Sequence, residues 1–176
     1  MVGYKSTKKK DRFVNSTFSG YHLDSKISAG NFGVVYTATH QVHGQVAVKI
    51  EVPDVGRLSN TKRSNLLLHK EYDFYQNHLG GLSCVPKLVS YFTSSDKNFL
   101  VMELFDIDLR HSFEDTFKHS FTTGCITRLF YEMTCIMELI HSRNIVYRDV
   151  KPDNFLLKFS HNFTRLVITD FGLSSL

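Results

Sequence analysis

Three polar side chains stand close together in the segment 145–157, which begins and ends with apolar residues. Asp149 is followed by Lys151 and Asn154, and another acid, Asp170, comes after the next apolar run. A carboxylate can accept a proton from a hydroxyl, and an ammonium can neutralise a phosphoryl group as it transfers. Amide and carboxylate oxygens suit Mg²⁺. The pattern therefore predicts phosphoryl transfer from a magnesium nucleotide to a hydroxyl.

A glycine-containing turn nearer the start of the chain could hold the phosphates. Gly30 and Gly33 lie in the turn 28–33, where the lack of side chains lets backbone amides approach an anion closely. Ser28 occupies the position of the first glycine in the G-x-G-x-x-G pattern. An ordinary hairpin turn stays an open alternative. A strand rather than a helix follows, which argues against a Rossmann site.

A lysine within an apolar strand is the next candidate. Lys49 lies in the run 46–50, and an ammonium buried without a partner would be costly. Glu71, on a predicted helix, could supply that partner and orient the amine toward the nucleotide phosphates. The alternative is that Lys49 lies at a strand end and reaches solvent.

The hydrophobic pattern predicts the elements that position these residues. Strands are expected over 21–27, 34–39, 46–50, 86–92 and 99–104, with helices over 64–78, 109–117 and 122–142. Gly80 and Gly81 should end the first helix, and Thr122 or Thr123 should cap the last. The expected fold class is α+β: a five-stranded antiparallel sheet with one helix, followed by a mainly helical part.

Composition and charge narrow the function classes. The net charge is +4, and much of the excess lies in the basic segment 1–20, which we expect to be a solvated, disordered leader. Nuclear targeting or binding to an anionic surface stays the alternative for that segment. Nucleic-acid binding is not favoured, since no folded basic face is evident. No apolar run approaches the ~18 residues of a membrane helix, so no membrane partner is expected.

The number and spacing of the cysteines indicate the cellular compartment of the protein. Cys84, Cys125 and Cys135 show no CxxC spacing. We expect reduced thiols that pack as small buried hydrophobes in an intracellular protein of the cytoplasm and/or nucleus.

Taken together, these residues resemble the eukaryotic protein kinase family over nearly the whole chain. Lys151 in the run 148–154 is similar to serine/threonine-specific members. The run that ends at Glu51, and the run 148–156, resemble the casein kinase 1 group. The resemblance implies a protein kinase-like fold, with an N-lobe and hinge over 21–104 and a partial C-lobe over 105–176.

The resemblance also implies roles for individual residues. The catalytic residues would be Asp149, Lys151, Lys49 and Glu71, and Asn154 and Asp170 would bind Mg²⁺. ATP would be bound by Ile27, Ser28, Gly30, Gly33, Val35, Ala47, Lys49, Met102, Glu103, Phe105 and Leu156. Within that set Met102 would be the gatekeeper, and the backbones of Glu103 and Phe105 would bond adenine. Asp106 or Asp108 would reach the ribose.

Two departures from the family pattern stand out. Tyr147 replaces the histidine that usually precedes Arg148 and Asp149, and it should preserve packing beneath Phe171 without the hydrogen bonds of an imidazole. The chain ends soon after Gly172, so we expect it to be incomplete and to lack the part that docks substrates.

Two functional hypotheses follow. The first is a serine/threonine protein kinase of casein kinase 1 type, which uses ATP and Mg²⁺ on Ser/Thr sites of proteins, including acidic or primed sites. The alternative is a catalytically inactive ATP-binding or interaction module. The oligomeric state has no signature in the sequence.

Overall fold

Six antiparallel strands form the larger of two sheets in the computed structural model, which describes residues 11–30, 33–51, 67–116, 121–160 and 164–176. They are β1 (Thr17–Phe18), β2 (Tyr21–Gly30), β3 (Gly33–His40), β4 (Gly44–Glu51), β5 (Leu88–Ser94) and β6 (Lys97–Glu103), in the order β1-β2-β3-β4-β6-β5. The α+β fold class is confirmed. The sheet has a sixth strand because residues 17–18 pair with the start of β2.

Among the described residues, one helix packs against this sheet. It is α1 (Leu67–Phe74), which continues as a π-helical turn, Tyr75–Leu79. The predicted helix 64–78 therefore matches closely, although residues 64–66 lie outside the described part of the chain. The helix ends before Gly80, as predicted, and Gly81 has a φ of 80°.

The second half of the chain adds a smaller sheet and the longest helix. Its elements are β7 (Ile107–Asp108), α2 (Leu109–His111) with a π-helical turn Ser112–Thr116, α3 (Thr123–His141), β8 (Phe155–Phe159) and β9 (Thr164–Ile168). The small sheet has the order β7-β8-β9. Thr122 caps α3 by accepting a hydrogen bond from the Cys125 amide. Within the described residues, no helix combines the length and apolar character needed to cross a membrane.

Alternation along β4 determines where its lysine points. Val46, Val48 and Ile50 belong to the core on one face of the sheet. Ala47 packs on the other face, with Leu68 of α1. Because successive side chains of a strand point to opposite faces, Lys49 shares the face of Ala47 and is directed toward α1.

A separate apolar core connects α1, α3 and the small sheet. It includes Tyr75 from the π-helical turn, Ile140 from α3, Phe155 from β8 and Phe171 from the segment after β9, each at most 4% exposed. These residues fix the small sheet beneath α1, so the loops at its edge lie opposite Lys49 and Glu71.

The prediction of a disordered leader over residues 1–20 is wrong for its second half. The Phe13 ring is buried and packs edge-on against Tyr36, with centroids 6.2 Å apart. The Tyr36 hydroxyl donates a hydrogen bond to the Asp11 carboxylate. Burial of one aromatic ring and one paired hydroxyl outweighs the solvated character of the basic run. Residues 1–10 lie outside the described chain.

The prediction that all three cysteines are buried is also wrong. Cys84 is buried, whereas Cys125 and Cys135 are exposed, and all three are free thiols. The buried face of α3 carries Ile136 and Ile140, and the two exposed cysteines lie outside that face.

Substitution of Gly33 tests how closely β3 approaches β4. Its φ is 123°, and a Cβ at this position would lie 2.4 Å from the Ile50 carbonyl oxygen. We therefore expect Gly33→Ala to lower the free energy of unfolding by ~1–3 kcal/mol, measured by urea denaturation. Gly124→Ala is the matched control, since nothing lies within 4 Å of its added methyl group. Equal stability of the two variants would contradict the packing described here.

Candidate active site

Lys49 is the centre of a group of three charges, of which Lys49 and Glu71 are buried and Asp170 is partly exposed. Its Nζ lies 2.7 Å from Glu71 Oε2 and 3.0 Å from Asp170 Oδ1. Lys49 is 6% exposed and Glu71 is 2% exposed. The predicted Lys49–Glu71 pair is therefore present, and the alternative of a strand-end lysine in solvent is excluded.

The two carboxylates determine the charge of this lysine. Burial alone would lower the pKa of Lys49, but attraction to Glu71 and then to Asp170 outweighs it, and the pKa is raised. Lys49 is therefore an ammonium at neutral pH. A cation held in this way can attract a phosphate without having to be desolvated first.

The segment 148–154 brings three predicted residues together. Asp149 Oδ2 accepts hydrogen bonds from Lys151 Nζ at 2.7 Å and from Asn154 Nδ2 at 2.9 Å. Asn154 Nδ2 also donates to the Asp149 carbonyl oxygen at 2.9 Å. Two backbone features shape this loop: Arg148 has a φ of 68°, and Pro152–Asn154 forms a single 3₁₀ turn.

These contacts set the ionisation of the loop carboxylate. Partial burial acts to raise the pKa of Asp149, but hydrogen bonds from Lys151 and Asn154 outweigh it, and the pKa is lowered. Asp149 is therefore a carboxylate at neutral pH, which is the form that can accept a proton.

Asp170 is held by an unusual backbone conformation. Its φ is 65°, in the left-handed region that non-glycine residues seldom adopt. On its N-terminal side, the Thr169 amide donates to the Asn154 carbonyl at 2.9 Å, and the Tyr147 hydroxyl donates to the Thr169 carbonyl. On its other side, Phe171 is buried. This anchoring on both sides turns the carboxylate toward Lys49.

The expectation for Tyr147 is confirmed in one respect and corrected in another. Its ring packs edge-on against Phe171, with centroids 5.2 Å apart, as predicted. It nevertheless makes a hydrogen bond of its own, because the phenol oxygen reaches the backbone of Thr169.

A cavity of about 550 Å³ lies between the two sheets and contains these groups. Its wall includes the predicted nucleotide-binding residues Ile27, Ser28, Gly33, Val35, Ala47, Lys49, Met102, Glu103, Phe105 and Leu156, together with Glu71, Lys151, Asn154 and Asp170. Gly30 ends β2 opposite Gly33. Asp149 contacts two residues of the wall, Lys151 and Asn154. A cavity of this size suits a nucleotide-sized ligand.

Sequence reasoning missed several residues of the wall: Ala29, Leu104, Ile107, His111, Asp153 and Thr169. Ala29, Leu104 and Thr169 adjoin residues that were predicted, so their position was a usable signal. His111 gave no such signal, because its contact with Asp108 depends on the turn that leads into α2. The Nδ1 atom of His111 lies 2.7 Å from Asp108 Oδ2. The carboxylate of Asp106, the other candidate for the ribose contact, accepts a hydrogen bond from the Phe159 amide.

The family model of the protein kinase domain matches residues 21–176. The match covers every strand except β1 and every residue of the cavity wall named above.

Removal of the Lys49 ammonium tests the electrostatics of the site. Lys49→Met would leave the Glu71 carboxylate buried without its cation, so we expect the free energy of unfolding to fall by about 3 kcal/mol. Burial raises the pKa of Glu71. The folded variant should therefore take up a proton more readily than the unfolded chain, and the loss of unfolding free energy should become smaller as the pH is lowered.

Urea denaturation at several pH values measures this effect. Lys70→Met is the matched control, because Lys70 is exposed and immediately precedes Glu71. It should change stability by no more than ~0.5 kcal/mol. A pH-independent loss, or a loss equal to that of the control, would contradict the assignment of a buried ion pair.

Proposed function

The chain belongs to the protein kinase family, and we propose from that premise that it is a serine/threonine protein kinase of casein kinase 1 type. It would transfer the γ-phosphate of ATP to Ser or Thr hydroxyls of protein substrates. One observation carries the proposal: Asp149, Lys151 and Asn154 form one hydrogen-bonded set, and Lys49 and Asp170 lie in contact at the same cavity.

The apolar part of the cavity would receive the base. Val35 and Ala47 line it from the larger sheet, and Leu156 lines it from β8. Glu103 and Phe105 lie at its edge, where their backbone groups can pair with adenine. Met102, at the end of β6, would limit the depth of this part as the gatekeeper.

The polar part would receive the phosphates. The Lys49 ammonium faces the cavity with its charge fixed by two carboxylates, as described above. Ser28, Ala29 and Gly33 line the same cavity, and Gly33 permits the close approach of β3 to β4. Both features favour a bound anion.

The residues present fit a magnesium ion. Asn154 uses its amide nitrogen to bond Asp149, which leaves its oxygen as the donor atom for a metal. Asp170 supplies a carboxylate in the same wall. Both are hard oxygen donors of the kind Mg²⁺ prefers. When bound there, Mg²⁺ would neutralise phosphate charge.

The reacting hydroxyl would be handled by Asp149 and Lys151. Asp149 is ionised, so it can orient the hydroxyl and accept its proton as the new bond to phosphorus forms. Lys151, already 2.7 Å from this carboxylate, would offset the negative charge on the phosphoryl group during transfer. The lysine at this position also supports serine/threonine specificity, and the resemblance to the casein kinase 1 group supports acidic or primed sites.

Substitution of the loop carboxylate tests the proposal. Asp149→Asn removes the proton acceptor but keeps the side-chain shape. We expect the rate of phosphate transfer to casein to fall by roughly 10²–10⁴-fold, while the Kd for MgATP changes by less than about twofold. Transfer of labelled phosphate to casein and thermal shift with MgATP measure the two quantities. Asp96→Asn, in the exposed turn between β5 and β6, is the matched control.

The outcomes separate the two hypotheses. Transfer to serine by the wild-type chain, lost in Asp149→Asn alone, supports a serine/threonine kinase. A thermal shift with MgATP but no transfer by the wild-type chain would favour the inactive ATP-binding module. An unchanged transfer rate in Asp149→Asn would contradict the role given to this residue.

A further inference from the structure

The carboxylate of Glu103, at the edge of the cavity, contacts two cationic side chains and one backbone amide. Arg165 Nη1 lies 2.9 Å from both of its oxygens, and Lys158 Nζ lies 3.0 Å from one of them. The Lys87 amide donates to it at 3.3 Å, and the Glu103 amide donates in turn to the Lys87 carbonyl at 2.9 Å. Both the backbone and the side chain of Glu103 are therefore fixed.

The same guanidinium also holds a second segment of the chain. Arg165 Nη2 donates to the carbonyls of Ser83 at 3.0 Å and Val85 at 3.1 Å. The Ile168 amide donates to the Cys84 carbonyl at 2.8 Å. The segment 83–85 is thus tied to β9 through three consecutive carbonyls. Only arginine offers enough donors in one plane to reach a carboxylate and two carbonyls together.

Phe105 is fixed from the same direction. Its ring lies 5.3 Å from the Arg165 guanidinium carbon and 5.5 Å from Lys158 Nζ. These two cations are neighbours, because Lys158 and Arg165 face each other across β8 and β9. Cations at this distance from an aromatic ring stabilise its position. Arg165 therefore contacts the residues on both sides of Leu104.

We propose that Arg165 is a positioning residue that sets the orientation of the backbone at 103–105 and, through it, the preference for adenine over other bases. The inference rests on the proposed function, in which the backbones of Glu103 and Phe105 pair with the base. None of the Arg165 contacts described above involves a residue that would hold the phosphates. Loss of its contacts should therefore weaken recognition of the base and leave the phosphate end of the cavity unaffected.

Comparison of two nucleotides tests this role on the full 176-residue chain. MgATP and MgGTP share the ribose and the phosphates and differ at the base edge. In Arg165→Met we expect the Kd for MgATP to rise by about tenfold, as when one or two neutral hydrogen bonds are lost. The Kd for MgGTP should change by less than about threefold, so the preference for ATP falls.

Two further variants make the test specific. Arg165→Lys should give an intermediate preference, since an ammonium can reach Glu103 but cannot also hold both carbonyls. Glu103→Gln keeps the shape of the side chain and removes its charge, so it should reduce the preference for ATP by a smaller factor. It replaces Arg165→Met in the test if that variant does not fold. Arg128→Met, an exposed arginine paired with Glu132 on α3, is the control and should retain the wild-type preference.

The outcomes separate this inference from the proposed function. A reduced ATP preference in Arg165→Met or Glu103→Gln, with partial recovery in Arg165→Lys, supports the positioning role. An unchanged preference overturns it even if the melting temperature falls, since a merely structural link would lower stability alone. If the wild-type chain binds no MgATP, both the nucleotide function and this inference are rejected.

Discussion

The buried contact of Lys49 with Glu71 and Asp170 is the interaction on which the rest of the site depends. It joins β4, α1 and the segment after β9, three parts of the chain that come from different elements of the fold. The buried ammonium of Lys49 and the buried carboxylate of Glu71 need each other, because either charge without its partner would be costly to bury. The cavity therefore keeps its polar end only while the sheet, the helix and the later loop remain together.

The apolar core supports the same arrangement from below. Phe171, next to Asp170, packs edge-on against Tyr75 and Tyr147, with ring centroids 5.5 Å and 5.2 Å away. The left-handed backbone of Asp170 costs about 1 kcal/mol or more, and burial of the adjacent ring offsets that cost. The position of one carboxylate is thus determined by both charge and packing.

Most of the site could be predicted, because its charged and polar residues stand out among the apolar residues around them. Lys49 stood out as a cation in an apolar strand, and Asp149, Lys151 and Asn154 form a dense polar group between apolar runs. Five of the six strands in the larger sheet followed from their β-branched and apolar runs and from the turns between them. These are local signals, and local signals survive folding when the tertiary contacts agree with them.

The misses have a common physical cause. The basic run before residue 21 looked solvated, because the pairing of Asp11 with Tyr36 and the burial of Phe13 depend on strands that come later in the chain. Arg165 gave no signal at all, since its partners are backbone carbonyls some 80 residues earlier and a carboxylate 62 residues earlier. Such contacts depend on the topology of the folded chain and produce no periodic pattern in the sequence.

The most direct test of this account compares the affinities of ATP and adenosine for the wild-type chain and for Lys49→Met. If the Lys49–Glu71–Asp170 group presents its ammonium to the phosphates, the affinity for ATP should fall by at least about tenfold, and that for adenosine should stay within about twofold. A parallel loss of both affinities, or no loss of either, would contradict the claim that this buried group forms the phosphate-binding end of the cavity.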